Sequence, residues 1–322
     1  KSHESVGIIG GQLTAADIAV VLANQGHQGQ IYFFTRDCNY PLIRSRLKKH
    51  KLQYLTICNL ENLKDENRNG ITIRNILRLA RKDFMLIGVR WNRFFKPSKL
   101  EYGAWIQSLL MDESEYSAWQ NFAIATDSVI GHYWDALSSV EKNLFMSKFH
   151  RLWAAKRVPL PAHTALKLFS LFSLGVLKHY PNLKEINASG RNKFIVSIRD
   201  QWLSGKGTQI HCDWVINASG PSKNINSSES ALVKNLLKSG TISINPHGGI
   251  MLDYETSLIR NIDDQRVENF YAIGQVTSGT YYFVSSLDMV SLRAKSLVNH
   301  ISNRLSSGYK NQESVREDRH AF

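Results

Sequence analysis

Gly10-Gly11-Gln12-Leu13-Thr14-Ala15 is the segment whose residue types and spacing most suggest chemistry. It stands where a dinucleotide fingerprint, G-x-G-x-x-G/A, would stand. In that motif the first Gly makes a tight turn and the second lets the backbone approach a pyrophosphate. A small third residue lets the following helix pack on its sheet. Gly10 and Ala15 fill the first and third places. Gln12 departs from the second, and its long side chain would crowd a pyrophosphate in the usual pose. Gly11 offers backbone freedom one position early. A helix from Leu13 would aim its amides and the positive end of its dipole at an anion. By itself the motif fits a binding turn and an ordinary βαβ turn alike.

Thr35-Arg36 follows the next apolar run. An acidic residue there would hold the ribose 2′-hydroxyl of NAD, whereas Arg suits the 2′-phosphate of NADP. The alternative for Arg36 is a solvated cation at a strand end. His163, His211 and His247 are isolated and read as structural or surface residues. Asn245-Pro-His-Gly-Gly249 reads as a turn, and the acid pairs Asp112-Glu113 and Asp263-Asp264 as solvated loops. No Ser/His/Asp arrangement stands out, so no catalytic side chain is assigned. Cys38, Cys58 and Cys212 have no metal-site spacing, so no metal is assigned, and they fit reduced thiols in a cytoplasmic compartment.

The elements that would position these residues can be read from the pattern. Ser5–Ile9 is a short apolar strand, Leu13–Ala23 an Ala-rich helix ended by Gly26, and Gln30–Thr35 a second buried strand. Together they form one βαβ unit of about thirty residues. Residues 61–185 read as a mostly helical insertion, with helices over 73–81, 105–110, 116–125, 140–153 and 165–180. Trp91, Trp105, Trp119, Trp134 and Trp153 fall in it, five of the chain's seven Trp. They could shape an apolar pocket or form ordinary core. Strands return after 185. Lys193–Arg199 and Thr208–Asp213 form a hairpin around a turn at 203–207, and Trp214–Asn217 is a buried strand leading to Gly220-Pro221. Phe270–Gly274 is a short strand, and Leu287–Leu305 a final helix.

Composition bounds the reading. A chain of 322 residues with 43% hydrophobic residues can bury a real core, which excludes a mostly disordered protein. No stretch approaches the ~18 uncharged apolar residues of a membrane span. The net charge of +13 suits anionic cofactors or substrates as well as nucleic acid. Its densest run is Arg44–Lys51, and no zinc-finger, RRM-like or KH-like pattern accompanies it, so nucleic-acid binding is not expected. The chain begins at Lys1 and enters a strand by Ser5, which suggests a fragment or a processed product.

Segments in order along the chain resemble a group of bacterial FAD/NAD(P)-binding proteins, among whose relatives is an FAD-dependent urate hydroxylase. Val6–Asp17 resembles the group's G-x-G-L-T-A-x-D segment. Tyr133–Leu137 and His150–Pro159 resemble its aromatic and basic helical region. Asp213–Pro221 resembles its D-x-V-I-N-x-T-G-P strand. Leu237–Asp253 resembles a stretch ending in G-x-x-L-D, and Phe270–Thr280 the closing F-A-I/L-G-x-x-T-x-G segment.

The resemblance implies an α/β fold: a Rossmann-like nicotinamide-binding unit (1–60), a helical insertion (61–185), and the C-terminal half of an FAD-binding domain (186–322). It implies FAD and NADPH as cofactors and a small-molecule substrate. The first FAD fingerprint is expected upstream of Lys1, so a missing N-terminal half would be a partner. Gly220-Pro221 would lie on the flavin side, and Gly274-Gln275-Val276 would approach the FAD. Gln275 stands where many flavoproteins of this layout carry Asp. The expected activity is that of an FAD-dependent oxidoreductase, monooxygenase or reductase. The alternative is a catalytically degenerate module for interaction or ligand sensing.

Overall fold

The structure, a computed structural model, describes residues 3–67, 70–89, 98–112, 114–190, 193–199, 207–222, 224–284 and 286–317. The elements begin with β1 (Val6–Ile9), α1 (Leu13–Asn24), β2 (Ile31–Phe34), α2 (Ile57–Glu66), α3 (Ile73–Leu86) and α4 (Tyr102–Met111). There follow α5 (Ser114–Ala125), α6 (Ile130–Asp135), α7 (Ser139–Lys148), α8 (His150–Arg157) and α9 (Ala162–Ser173). Strands β3 (Leu177–Tyr180), β4 (Leu183–Ala188), β5 (Phe194–Ile198), β6 (Thr208–Cys212) and β7 (Trp214–Asn217) come next. The chain closes with α10 (Ala231–Lys238), β8 (Leu258–Arg260), β9 (Arg266–Tyr271), α11 (Ser278–Tyr281) and α12 (Leu287–Glu317). They fall into two compact units. The first comprises 1–59, 73–126 and 144–221, and the second 60–72, 127–143 and 222–322.

The first unit is built on a parallel sheet of order β3-β2-β1-β7. This is an α/β fold of Rossmann type, and β1 and β2 supply its buried centre through Val6, Ile8, Ile31, Phe33 and Phe34. Each such side chain contributes about 2 kcal/mol of hydrophobic stabilisation. Ala15, Ala16 and Ala19 are fully buried on α1, and their small size lets that helix approach closely. Helix α9 packs against both α1 and α4. A second sheet, β4-β5-β6, is antiparallel. Its Val196, Ile198, Ile210 and Cys212 form one apolar cluster with Phe34. Burial there pushes the Cys212 thiol up to about 11, so it is protonated at neutral pH.

Three sequence expectations differ from the structure. The helix expected over 165–180 stops at Ser173, Gly175 turns the chain at φ +70°, and Leu177–Tyr180 becomes β3 beside β2. The helix expected over 140–153 breaks at Phe149, because its two parts differ in burial. Helix α7 buries none of its residues, while α8 turns Ala155, Lys156 and Arg157 inward. The Trp214 strand, expected to be buried, forms the sheet edge, and Trp214 is 47% exposed. The hairpin strands pair antiparallel as β5 and β6, while 203–206 of the expected turn and Trp91 lie outside the described residues.

The second unit has its core in Ile242, Ile250, Leu252, Ile259, Tyr281 and Val284. The buried Asp253 ties its β8–β9 hairpin together. It accepts hydrogen bonds from the Thr256 amide and hydroxyl, and its Oδ2 pairs with Arg266 at 2.7 Å and Arg260 at 3.3 Å. Burial raises the Asp253 pKa, but the Thr256 donors and the Arg266 cation outweigh it and hold the carboxyl below its usual range. The strand expected at 270–274 is β9, which starts earlier, at Arg266, and ends at Tyr271. No described helix is long and apolar enough to cross a membrane.

Candidate functional site

The strand order reverses between β1 and β7, and ligands of open parallel sheets bind outside the carboxyl ends of the strands at such a point. Gly10 ends β1 with φ +129°, and a Cβ on it would lie 2.7 Å from the Ala218 carbonyl oxygen. Both the torsion and the close approach demand glycine. A Cβ on Gly11 would meet the Thr35 side chain at 2.8 Å. Because the Ala218 amide donates to the Ile9 carbonyl at 2.9 Å, the turn after β1 and the loop after β7 run side by side. Gly220, at φ +91°, faces open space on that loop and is followed by Pro221. The structure thus brings Gly10, Gly11, Gly220 and Pro221 to one end of the sheet.

Helix α1 begins beside them. Gln12 is its N-cap residue, yet its side chain caps nothing. Instead its Nε2 donates to the Asn39 carbonyl at 3.0 Å, linking the turn to the loop after β2. The first amides of α1 are therefore left for another acceptor. Leu13 is half-buried, Thr14 exposed and Ala15 buried under the helix.

Arg36 is exposed just past β2, and among the described residues no ion pair to it is present. The next residue, Asp37, pairs with Arg151 of α8 at 3.1 Å. Beneath this loop lies a polar chain that sequence reasoning missed. Thr35 Oγ1 donates to the Asp37 carbonyl at 2.8 Å and lies 2.8 Å from His179 Nε2. Since the hydroxyl proton is committed, Nε2 must carry the imidazole proton and donate to Thr35. His179 Nδ1 is then an acceptor facing the Tyr40 hydroxyl at 3.5 Å. Burial pushes the His179 pKa down to about 4, so the ring is neutral at neutral pH. Tyr40 stacks on Tyr102 at 4.5 Å, and the Tyr102 hydroxyl donates to the Gly11 carbonyl at 2.7 Å. Burial raises both phenol pKa values, so both stay protonated donors. This chain fixes the turn and the loop relative to each other. Its one sequence signal was a His beside an aromatic at 179–180, in a stretch read as helix.

Gly274, Gln275 and Val276 lie in the second unit. Gly274, at φ +87°, opens a short turn over Gln275–Thr277. The Val276 carbonyl accepts from the Ile250 amide at 2.9 Å, and its close approach to Gly249 leaves no room for a Cβ there. The expected turn at 245–249 is held by Asn245, whose Oδ1 accepts from the His247 amide at 2.9 Å and whose Nδ2 donates to Thr280 at 3.3 Å. His247 meets the Trp134 ring edge-on at 5.7 Å, and burial lowers its pKa. His163, His211, Asp263 and Asp264 are exposed.

No protein-family model matches the chain, and no curated protein matches it. Solved structures do. L-lysine 6-monooxygenase from Pseudomonas syringae superposes with a TM-score of 0.52 at 11% identity, over 94% of this chain and 54% of that one. The ornithine N-hydroxylase of Kutzneria sp. 744, described with reduced FAD, NADP+ and L-ornithine, gives 0.48 at 13% identity over 94% and 55%. The reduced ornithine hydroxylase of Pseudomonas aeruginosa gives 0.48 at 12% identity over 94% and 53%. The chain spans about half the length of each of these proteins. The likeness to the lysine monooxygenase supports the Rossmann-type α/β fold described above.

Proposed function

We propose that this chain is the nicotinamide-binding part, with a portion of the flavin-binding part, of an FAD-dependent oxidoreductase of monooxygenase type that uses NADPH. The observation that carries the reading is the turn at Gly10. A glycine required by both torsion and space leads into an uncapped helix, at the point where the strand order reverses. The residues present fit a dinucleotide. The α1 amides would receive the pyrophosphate, Gly10 and Gly11 would let it approach the backbone, and Arg36 would meet a 2′-phosphate. Gln12, tied to Asn39, would present its amide oxygen alongside rather than cap the helix. Gly220-Pro221 and Gly274-Gln275-Val276 are the positions proposed for the flavin. Bound FAD would supply the redox and oxygen chemistry, with NADPH as the source of hydride. The protein's own residues would position the two groups.

The group resembled by sequence and the lysine monooxygenase resembled in fold both support this assignment. A small amine such as L-lysine is the first substrate to try, since the lysine enzyme shares the fold. The test is a calorimetric titration of the purified chain with NADPH and NADH, repeated with Gly10→Ala. The reading expects NADPH to bind more tightly than NADH, and Gly10→Ala to lose at least tenfold in affinity for both. Absence of NADPH binding to the wild-type chain would overturn it.

A further inference from the structure

Lys156 is 2% exposed, and the described structure gives it no carboxylate partner. Its Nζ rests 3.9 Å above the Trp105 ring. Burial alone drives its pKa down to about 7, with no nearby charge to offset the loss of water. Buried ammonium groups are ordinarily paired, so a lysine held this way lacks an anion. Its surroundings are rigid. The Trp119 indole donates to the Lys156 carbonyl at 3.1 Å, and the Trp105 indole donates to the Pro41 carbonyl at 2.9 Å.

Location gives the missing anion a chemical class. Helix α8 is clamped to the loop that follows β2 near both of its ends. Arg151 pairs with Asp37 at 3.1 Å, next to Arg36. Beyond the helix, the Leu160 amide donates to the Leu42 carbonyl and the Arg44 amide to the Leu160 carbonyl, each at 2.7 Å. In folds of this type that loop borders the ribose nearer the adenine. We propose that Lys156, brought to this loop by α8, is a binding residue for the 2′-phosphate of an NADP-type dinucleotide, alongside Arg36. The inference rests on the NADPH reading above and adds a residue from the helical segment to it. With no phosphate bound, the Trp105 face is the amine's only cation partner among the described residues. The phosphate would supply the anion that the ring face cannot, with the Trp105 indole still held by the Pro41 carbonyl.

Calorimetry with 2′,5′-ADP, 5′-ADP and inorganic phosphate separates the possibilities, on the wild-type chain and Lys156→Met. The expected result is tighter binding of 2′,5′-ADP than of 5′-ADP, with Lys156→Met losing about tenfold for 2′,5′-ADP alone, about 1.4 kcal/mol. Equal 2′,5′-ADP affinity in a folded Lys156→Met would overturn the inference and leave the NADPH reading standing. Failure of every nucleotide to bind the wild type would overturn both. Inorganic phosphate binding as tightly as 2′,5′-ADP would overturn the dinucleotide assignment. A second readout needs no variant. At pH 8, in buffers of different ionisation enthalpy, 2′,5′-ADP should take up about one proton per site and 5′-ADP none, because the amine must charge to bind. No uptake would overturn the proposal.

Discussion

The Asp83 carboxylate, fully buried on α3, accepts the Gln53 amide at 2.8 Å, the Leu55 amide at 2.8 Å and the Tyr54 amide at 3.2 Å. Lys156, almost as deeply buried in the same unit, meets only the face of an indole. Asp83 closes a loop, and all the partners of its charge come from the protein. Lys156 closes nothing, and the protein leaves its partner to be supplied. A buried charge is costly unless paired and hydrogen-bonded, so the first pattern marks architecture and the second marks a site.

Asp83→Ala leaves the amides of residues 53–55 without their acceptor and should cost about 4 kcal/mol of stability. A loss under about 1 kcal/mol in chemical denaturation would mean that the loop does not depend on the carboxylate.

Lys156 should show the opposite sign. Its folded pKa is about 7, below the ordinary 10.5, so the unfolded chain holds the extra proton between those values. Stability should therefore rise as pH rises through that window, by about 3 kcal/mol between pH 7 and pH 10. Lys156→Met should lack this rise and be at least as stable as wild type at pH 7. Parallel pH profiles for the two proteins would show that the amine is not desolvated.

His179 sharpens the picture as a buried group that is neutral and bonded. Its folded pKa of about 4 lies below the ordinary 6.5, so the unfolded state binds the proton first on acidification. Its contribution is complete above pH 6.5 and declines below it, by about 2 kcal/mol at pH 5. His179→Gln should flatten that part of the denaturation profile. The smallest effect belongs to the solvent-facing Arg151–Asp37 pair. Arg151→Gln should change stability by no more than about 0.5 kcal/mol in thermal unfolding.

What could be read in advance follows the range of the interactions involved. The β1–α1–β2 unit was legible because its signals, an apolar run, paired glycines and an alanine-rich helix, lie within thirty-four residues of each other in sequence, from the start to Phe34. The third strand was not. Leu177–Tyr180 is only four residues long, follows a helix, and owes its state to pairing with β2 across 146 residues, as in Ile31 and Leu177. Gly10 could be singled out because a φ of +129° restricts residue type. Lys156 and Asp83 could not, since each lies just past the end of a helix read from the sequence, 140–153 and 73–81, with no local pattern that marks it. Only packing of Trp105 and Trp119 around the first, and return of residues 53–55 to the second, gives them meaning.

The pairing of β1 with β7 has a consequence for how the protein is made. Val6 is paired with Trp214, so the edge of β1 that β7 covers stays open until more than two hundred residues have been translated. At about 5–20 residues per second this is a delay on the order of 10–40 s. During it the nascent chain displays an uncovered parallel edge formed by an apolar strand. That interval is when a ribosome-associated chaperone would have most to protect.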